Sequence, residues 1–184
     1  MNGRSITSRG VTDPALLRGA FGAFATGVTV VTVGGGQPHG MTANSFTSVS
    51  LDPALVLVCV DRRAVMHGNL TVAGRFGVSV LAAHQEEVAR HFASRSRRLG
   101  RSEFDPVDWL PGPLTGVPLI DGAVARFECE LWRSYDGGDH TIFLGSVLSL
   151  ERRVDEDVLL FVNGRFRRSS PLVSPLVAPS EVTT

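Results

Sequence analysis

Two apolar, β-rich runs, residues 28–33 and 55–60, stand on either side of an eleven-residue stretch, 40–50, that carries six hydroxyl or amide side chains. This succession constrains the fold more than any other feature of the chain. A solvent-facing loop usually shows Gly, Pro, Asp or Lys punctuation, and a half-buried strand alternates apolar with polar. The stretch 40–50 does neither cleanly. Read as one strand, it lines up Thr42, Asn44, Ser48 and Ser50 on a single face. A row of neutral donors and acceptors suits a flat polar heterocycle or a phosphate. It equally suits a turn-and-strand connection whose hydroxyls cap their own backbone.

Around this stretch the pattern predicts mostly strands. Thr12 or Asp13 can cap a helix with Pro14 at its first position, and Leu16, Leu17, Ala20, Phe21 and Phe24 repeat at helical spacing until Thr26-Gly27. A strand over 28–33 leads into Gly34-Gly35-Gly36-Gln37-Pro38. A dinucleotide fingerprint needs strand, glycines and then helix, whereas here a strand follows, so the glycines predict a hairpin turn. A second strand is expected through 42–50, a turn at Asp52-Pro53, and a third strand over 55–60, apolar on both faces. Short helices are predicted over 64–73 and 85–95, the latter with Val88, Ala89 and Phe92 inward, and a strand over 75–81. Residues 104–118 read as a long ordered loop around Trp109. Strands over 123–134 and 141–152 flank a turn at 135–139, and 158–168 forms a last hairpin about Asn163-Gly164. With no βαβ alternation, a closed, mainly antiparallel barrel is expected. The predicted organisation is a flexible N-terminus over 1–12, one domain over 13–168 and a Pro/Ser-containing tail over 169–184.

Composition removes several chemistries. The chain has 184 residues and a formal charge of zero, which favours neither nucleic acid nor an anionic membrane as a partner. It contains no lysine, so Schiff-base chemistry and the Walker phosphate loop are excluded. Any phosphate must be met by arginine, hydroxyls or backbone amides. Arg90, His91, Arg95, Arg97, Arg98 and Arg101 follow one another without an intervening acid, which predicts part solvated helix end and part anion site. Cys59 and Cys129 sit in apolar runs without Cys-x-x-Cys spacing, as reduced buried thiols do. Residues 1–10 lack an apolar leader core, and the longest apolar run, 54–60, is too short for a bilayer; a soluble cytoplasmic protein is expected. No His-Glu-x-x-His, zinc-spaced Cys/His pair or Gly-x-Ser-x-Gly elbow is present, so neither a metal nor a nucleophile is predicted.

Residues 25–32, 40–53 and 55–60, taken in order with Gly138-Asp139-His140 and the apolar strand after it, resemble the flavin reductase family, the small NAD(P)H:flavin oxidoreductase components of two-component flavin-dependent monooxygenases. The resemblance spans about residues 14 to 168 and implies a split β-barrel with Greek-key connections and a few inserted helices. It implies NADH or NADPH as hydride donor, FAD or FMN as acceptor, a homodimer, and a partner monooxygenase that receives reduced flavin. By position, Thr42, Asn44, Ser45, Phe46, Thr47, Ser48 and Ser50 would hold the isoalloxazine edge and ribityl chain. Asp61 and Asn69, with His67 nearby, would sit near the flavin phosphate end, and Phe92 and Ala93 would contact the rest. Asp139, His140 and Phe166 would border the nicotinamide, with His140 positioning it and no dedicated catalytic residue. A flavin-binding electron-shuttle module, or an oxidoreductase that retains its flavin and acts on its own organic substrate, remain as other readings.

Overall fold

The computed structural model describes residues 13–169, so the N-terminal segment 1–12 and residues 170–184 of the expected tail lie outside the described residues. Helix α1 (Pro14–Gly22) starts as its sequence requires: Asp13 accepts from the Ala15 amide and Pro14 takes the first turn. It ends four residues earlier than expected, because Thr26–Gly27 forms a short strand, β1. Then follow β2 (Thr29–Val33), β3 (His39–Ala43), β4 (Thr47–Leu51), β5 (Ala54–Asp61), α2 (Val65–Ala73), β6 (Arg75–Val80) and α3 (Glu86–Ala93). A 3₁₀ turn (Arg101–Phe104) precedes β7 (Trp109–Pro111), β8 (Pro118–Ile120), β9 (Ala125–Gly137), β10 (His140–Arg152), β11 (Leu159–Val162) and β12 (Arg165–Arg168).

The expected strand through 42–50 is in fact two. β3 and β4 lie at opposite edges of a seven-stranded sheet ordered β3-β2-β6-β9-β10-β5-β4, with every pairing antiparallel. Laid flat, the two edges would stand ~29 Å apart, six strand spacings of about 4.8 Å. The link from Ala43 to Thr47 has only four Cα steps and spans at most ~14 Å. The sheet must therefore curl until its edges nearly meet. β3 and β4 do not pair, so the expected closed barrel is a split one, and residues 44–46 cross the gap.

β2 separates two cores by strand parity. Val31 and Val33 join Val56, Val58, Val60, Phe76 and Phe143 inside the barrel, plugged by Met66 and Leu70 of α2. Val28 and Val30 face the other way, onto Ala89 and Phe92 of α3, with Phe104, Ile120 and Leu159. The predicted loop over 104–118 contains the small β7–β8 hairpin, with Trp109 packed on Phe104. The β2–β3 turn falls on the glycine triplet as expected, and Asn163 and Gly164 adopt positive φ in the two-residue β11–β12 turn. No described helix is long and apolar enough to cross a membrane.

Candidate active site

The apolar strand β5 ends at Asp61 and is followed by Arg62-Arg63, and the β9–β10 hairpin turn docks against this end. His140 lies directly opposite Asp61, and Ile142 opposite Cys59. The turn is tighter than the predicted one, since β9 runs on to Gly137 and only Gly138 and Asp139 lie outside the ladder. Gly138 takes φ 79°, and its amide donates to Asp136 Oδ1 at 2.8 Å. His140 Nδ1 is 2.7 Å from Asp139 Oδ1. The Asp61 carboxylate accepts from the amide of Arg63 at 2.8 Å and from its Nε and Nη2 at 3.1 and 2.8 Å. The Arg63 side chain, then its amide, hold the Asp61 carboxyl well below the usual range, with a smaller contribution from His140. His67 turns inward: its Nε2 is 2.9 Å from Thr141 Oγ1 and its ring meets Phe143 edge-on. Asn69, two residues further along α2, is half-buried.

The crossing 44–46 passes over the same part of β5. Ser45 Oγ donates to the Cys59 carbonyl and accepts from the Cys59 amide, both at 3.0 Å, so one side chain replaces a pair of ladder bonds. Thr42 Oγ1 donates to Ala89 O at 2.7 Å and ties β3 to α3. Phe46 packs beside Phe127 against the barrel core. Asn44, Thr47 and Ser48 are exposed, and the backbone N–H groups of Asn44, Ser45 and Phe46 have no acceptor among the described residues. The expected single row of Thr42, Asn44, Ser48 and Ser50 does not form. Thr42 stays on one sheet edge, Ser48 and Ser50 lie on the other, and a bulge between those two resets the parity.

Two aromatic expectations are corrected. Phe92 is 1% exposed, wedged between Gly40 and Phe104, so its ring belongs to the core and is closed to a ligand; Ala93 beside it is exposed. A Cβ on Gly40 would lie 2.5 Å from that ring, which is why β3 needs glycine there. Phe166 sits on α3, with the Arg90 guanidinium 5.0 Å above its ring and Phe161 beside it, and joins the second core rather than Asp139 and His140. Burial placed both rings, and one-dimensional spacing carries no record of it.

The arginine-rich segment divides as well. Arg90 pairs with Glu86 at 2.6 Å, while Arg97 turns inward to Glu103 and to the carbonyls of Ser94 and Gly40. Glu103, fully buried, also accepts from His39 Nδ1 at 2.9 Å, and its carbonyl accepts from His91 Nε2 at 2.7 Å. Burial works to raise the Glu103 pKa, but the hydrogen bonds from His39 and Arg97 outweigh it and hold the carboxyl below its ordinary value. A second buried carboxylate, Glu128, gathers the amides of Leu114 and Thr115 with the hydroxyls of Thr115 and Ser149. Neither acid announced itself in the sequence, because each partner set is assembled from distant segments.

One outer face thus collects the polar groups. Thr47, Leu57 and Leu144 lie in register across β4, β5 and β10; Cys59 and Ile142 come next, then Asp61 and His140. The apolar floor is half-buried, one end is charged, and the free amides of 44–46 border it. A planar heterocycle with apolar faces and a polar edge fits this donor set. A cavity of about 300 Å³ opens elsewhere, among Gly34, Gly35, Gly36, Arg101, Phe104, Trp109 and Pro118, and none of its lining residues belongs to this face.

Comparison with known proteins finds a matching family. The model of the "Flavin reductase like domain" family matches residues 21–170. The NADH:FAD oxidoreductase of Streptomyces globisporus C-1027, solved in complex with NAD and FAD fragments, is 55% identical, with a TM-score of 0.84 over 90% of this chain and 100% of that one. The flavin reductase component of a bacterial two-component tryptophan halogenase is 58% identical, with a TM-score of 0.82 over 85% of this chain and 98% of that one. The reductase subunit of a flavin-dependent monooxygenase from Rhodococcus jostii is 36% identical over 86% of this chain and 80% of its own.

Proposed function

Because the chain belongs to the flavin reductase-like family, we propose that it oxidises NADH with free FAD or FMN as acceptor and hands the reduced flavin to a partner flavin-dependent monooxygenase. The observation that carries this reading is the shared outer face, where the Asp61–His140 register pair meets the free amides of residues 44–46. Nicotinamide and flavin supply the hydride chemistry, one hydride and one proton per flavin reduced. The chain binds and orients. The amides and side chains of residues 44–48, with Thr42 and Ser50 at the two sheet edges, hold the edge of the acceptor ring. Ser45 and Phe46 contribute through the backbone, since the Ser45 hydroxyl is bound to Cys59 and the Phe46 ring to the core. Asp61 and Asn69 border the phosphate end, Ala93 the remainder, and Asp139 and His140 receive the nicotinamide.

Near-attack positioning of two rings is worth ~7–11 kcal/mol, enough to catalyse the transfer without a dedicated acid or base. Release of the product flavin asks for no more than micromolar affinity, ~8 kcal/mol. Apolar side chains exposed on the strands support a homodimer: Val49 and Leu51 on the free edge strand β4, and Trp132, Leu148 and Leu150 on β9 and β10. Two free cysteines fit a reducing, cytoplasmic setting. The test is NADH oxidation at 340 nm with and without added FAD or FMN. Turnover that appears only with added flavin and saturates with it supports the proposal. A yellow protein indifferent to added flavin points to a retained cofactor and an organic substrate, and no turnover despite flavin binding points to a shuttle module.

A further inference from the structure

We infer that Arg62 is a positioning residue for the nicotinamide half of the site, acting by clasping the turn that presents His140; this rests on the proposed reductase function. The turn needs such a clasp. β6 pairs with β9 only as far as Glu130, and beyond the Leu131 amide, which donates to Gly74 O at 2.7 Å, β9 is held by β10 alone. Residues 132–139 are all exposed. β10 keeps β5 as its other neighbour as far as His140, but the exposed tip formed by the end of β9 and its turn is where such a sheet frays first.

Arg62 closes both limbs of that tip. Its backbone N–H donates to Asp139 O at 3.1 Å, its Nε to Gly138 O at 2.9 Å, and its Nη2 to Asp136 Oδ2 at 2.8 Å. Asp136 in turn accepts the Gly138 amide through its other oxygen. Both carbonyls of the two-residue turn and the aspartate that shapes it are thus bound to one residue of β5's end. As an exposed ion pair Arg62–Asp136 contributes little to global stability, since solvent screens it. Its consequence is local, the orientation of the residue that follows the turn. Arg63 cannot substitute, because its guanidinium is bound to Asp61. Lysine cannot reproduce the clasp either, since Nε and Nη2 are used together and an ammonium lacks that fork.

The test uses the full-length protein with Arg62→Ala and Arg62→Lys. Backbone hydrogen–deuterium exchange reads the clasp directly, without turnover: Gly138, Asp139 and His140 amides should exchange on the order of tenfold faster in Arg62→Ala, with the core strands unchanged. Steady-state NADH oxidation reads the consequence: kcat/KM for NADH should fall about tenfold or more, while the KM for flavin and the Tm stay close to wild type. Arg62→Lys should recover only part of either effect. Unchanged exchange in the turn overturns the clasp. Equal rises in both KM values, or full recovery by lysine, overturn the assignment to the nicotinamide half. If the wild-type protein oxidises no NADH with any flavin, the reductase reading falls and the positioning role with it, while the exchange data still decide the clasp.

Discussion

Glu103→Gln probes the buried network that ties β3 to the segment after α3. The carboxylate is shielded from solvent and receives Arg97 on one oxygen and His39 on the other. Glutamine preserves the shape. Its carbonyl can accept from Arg97, and its amide can donate to His39 Nδ1 once the imidazole changes tautomer. What disappears is the negative charge facing Arg97, whose side chain is only 10% exposed. Removing one partner of a buried pair costs ~3–5 kcal/mol. Arg97 keeps the carbonyls of Ser94 and Gly40, so the low end, about 3 kcal/mol, is expected. In a domain of this size that is a fall in Tm of ~6–12 °C. The pH dependence follows from the depressed Glu103 pKa. The unfolded carboxyl binds a proton first as pH falls, so the stabilisation is complete above the ordinary glutamate value of about 4.3 and is lost as pH drops through the folded one. Thermal melts of wild type and variant should therefore show a constant gap from pH 7 to about 5 that narrows below it. Equal Tm values at pH 7, or a gap that widens on acidification, would refute the reasoning.

Three further outcomes are expected. His140→Ala should raise the KM for NADH far more than that for flavin, and equal effects in steady-state kinetics would sink the nicotinamide assignment. Leu51, 95% exposed on the free edge strand, contributes little to the single chain, so Leu51→Asp should shift sedimentation from dimer to monomer without lowering monomer stability; a wild-type monomer at micromolar concentration would refute the dimer. Burial, helped by nearby Glu128, pushes the Cys129 thiol up to about 12, so Ellman's reagent at pH 8 should reach it no faster than the protein unfolds, and rapid labelling of both thiols would contradict its placement.

Local chemistry was legible where one segment decides its own conformation. Asp13-Pro14 set the start of α1, the glycine triplet turned β2 into β3, and Asn163-Gly164 supplied two positive φ values in succession. The split of the 40–50 stretch was not legible, because what ends β3 is the curl of the whole sheet, and Ser45 finds Cys59 only after that curl. The same holds for Glu103, whose burial is tolerable only because His39, sixty-four positions away, arrives beside it. At the candidate site the decisive unknown was register. Val58 and Val60 face the core from β5, which puts Cys59 and Asp61 on the outer face and so sets Asp61 beside His140. A slip of one residue would turn Asp61 into the core and bring Arg62 opposite His140. The valines of β5, residues with no polar atom to offer a ligand, thereby decide which charge meets the histidine and leave Arg62 free to hold the turn.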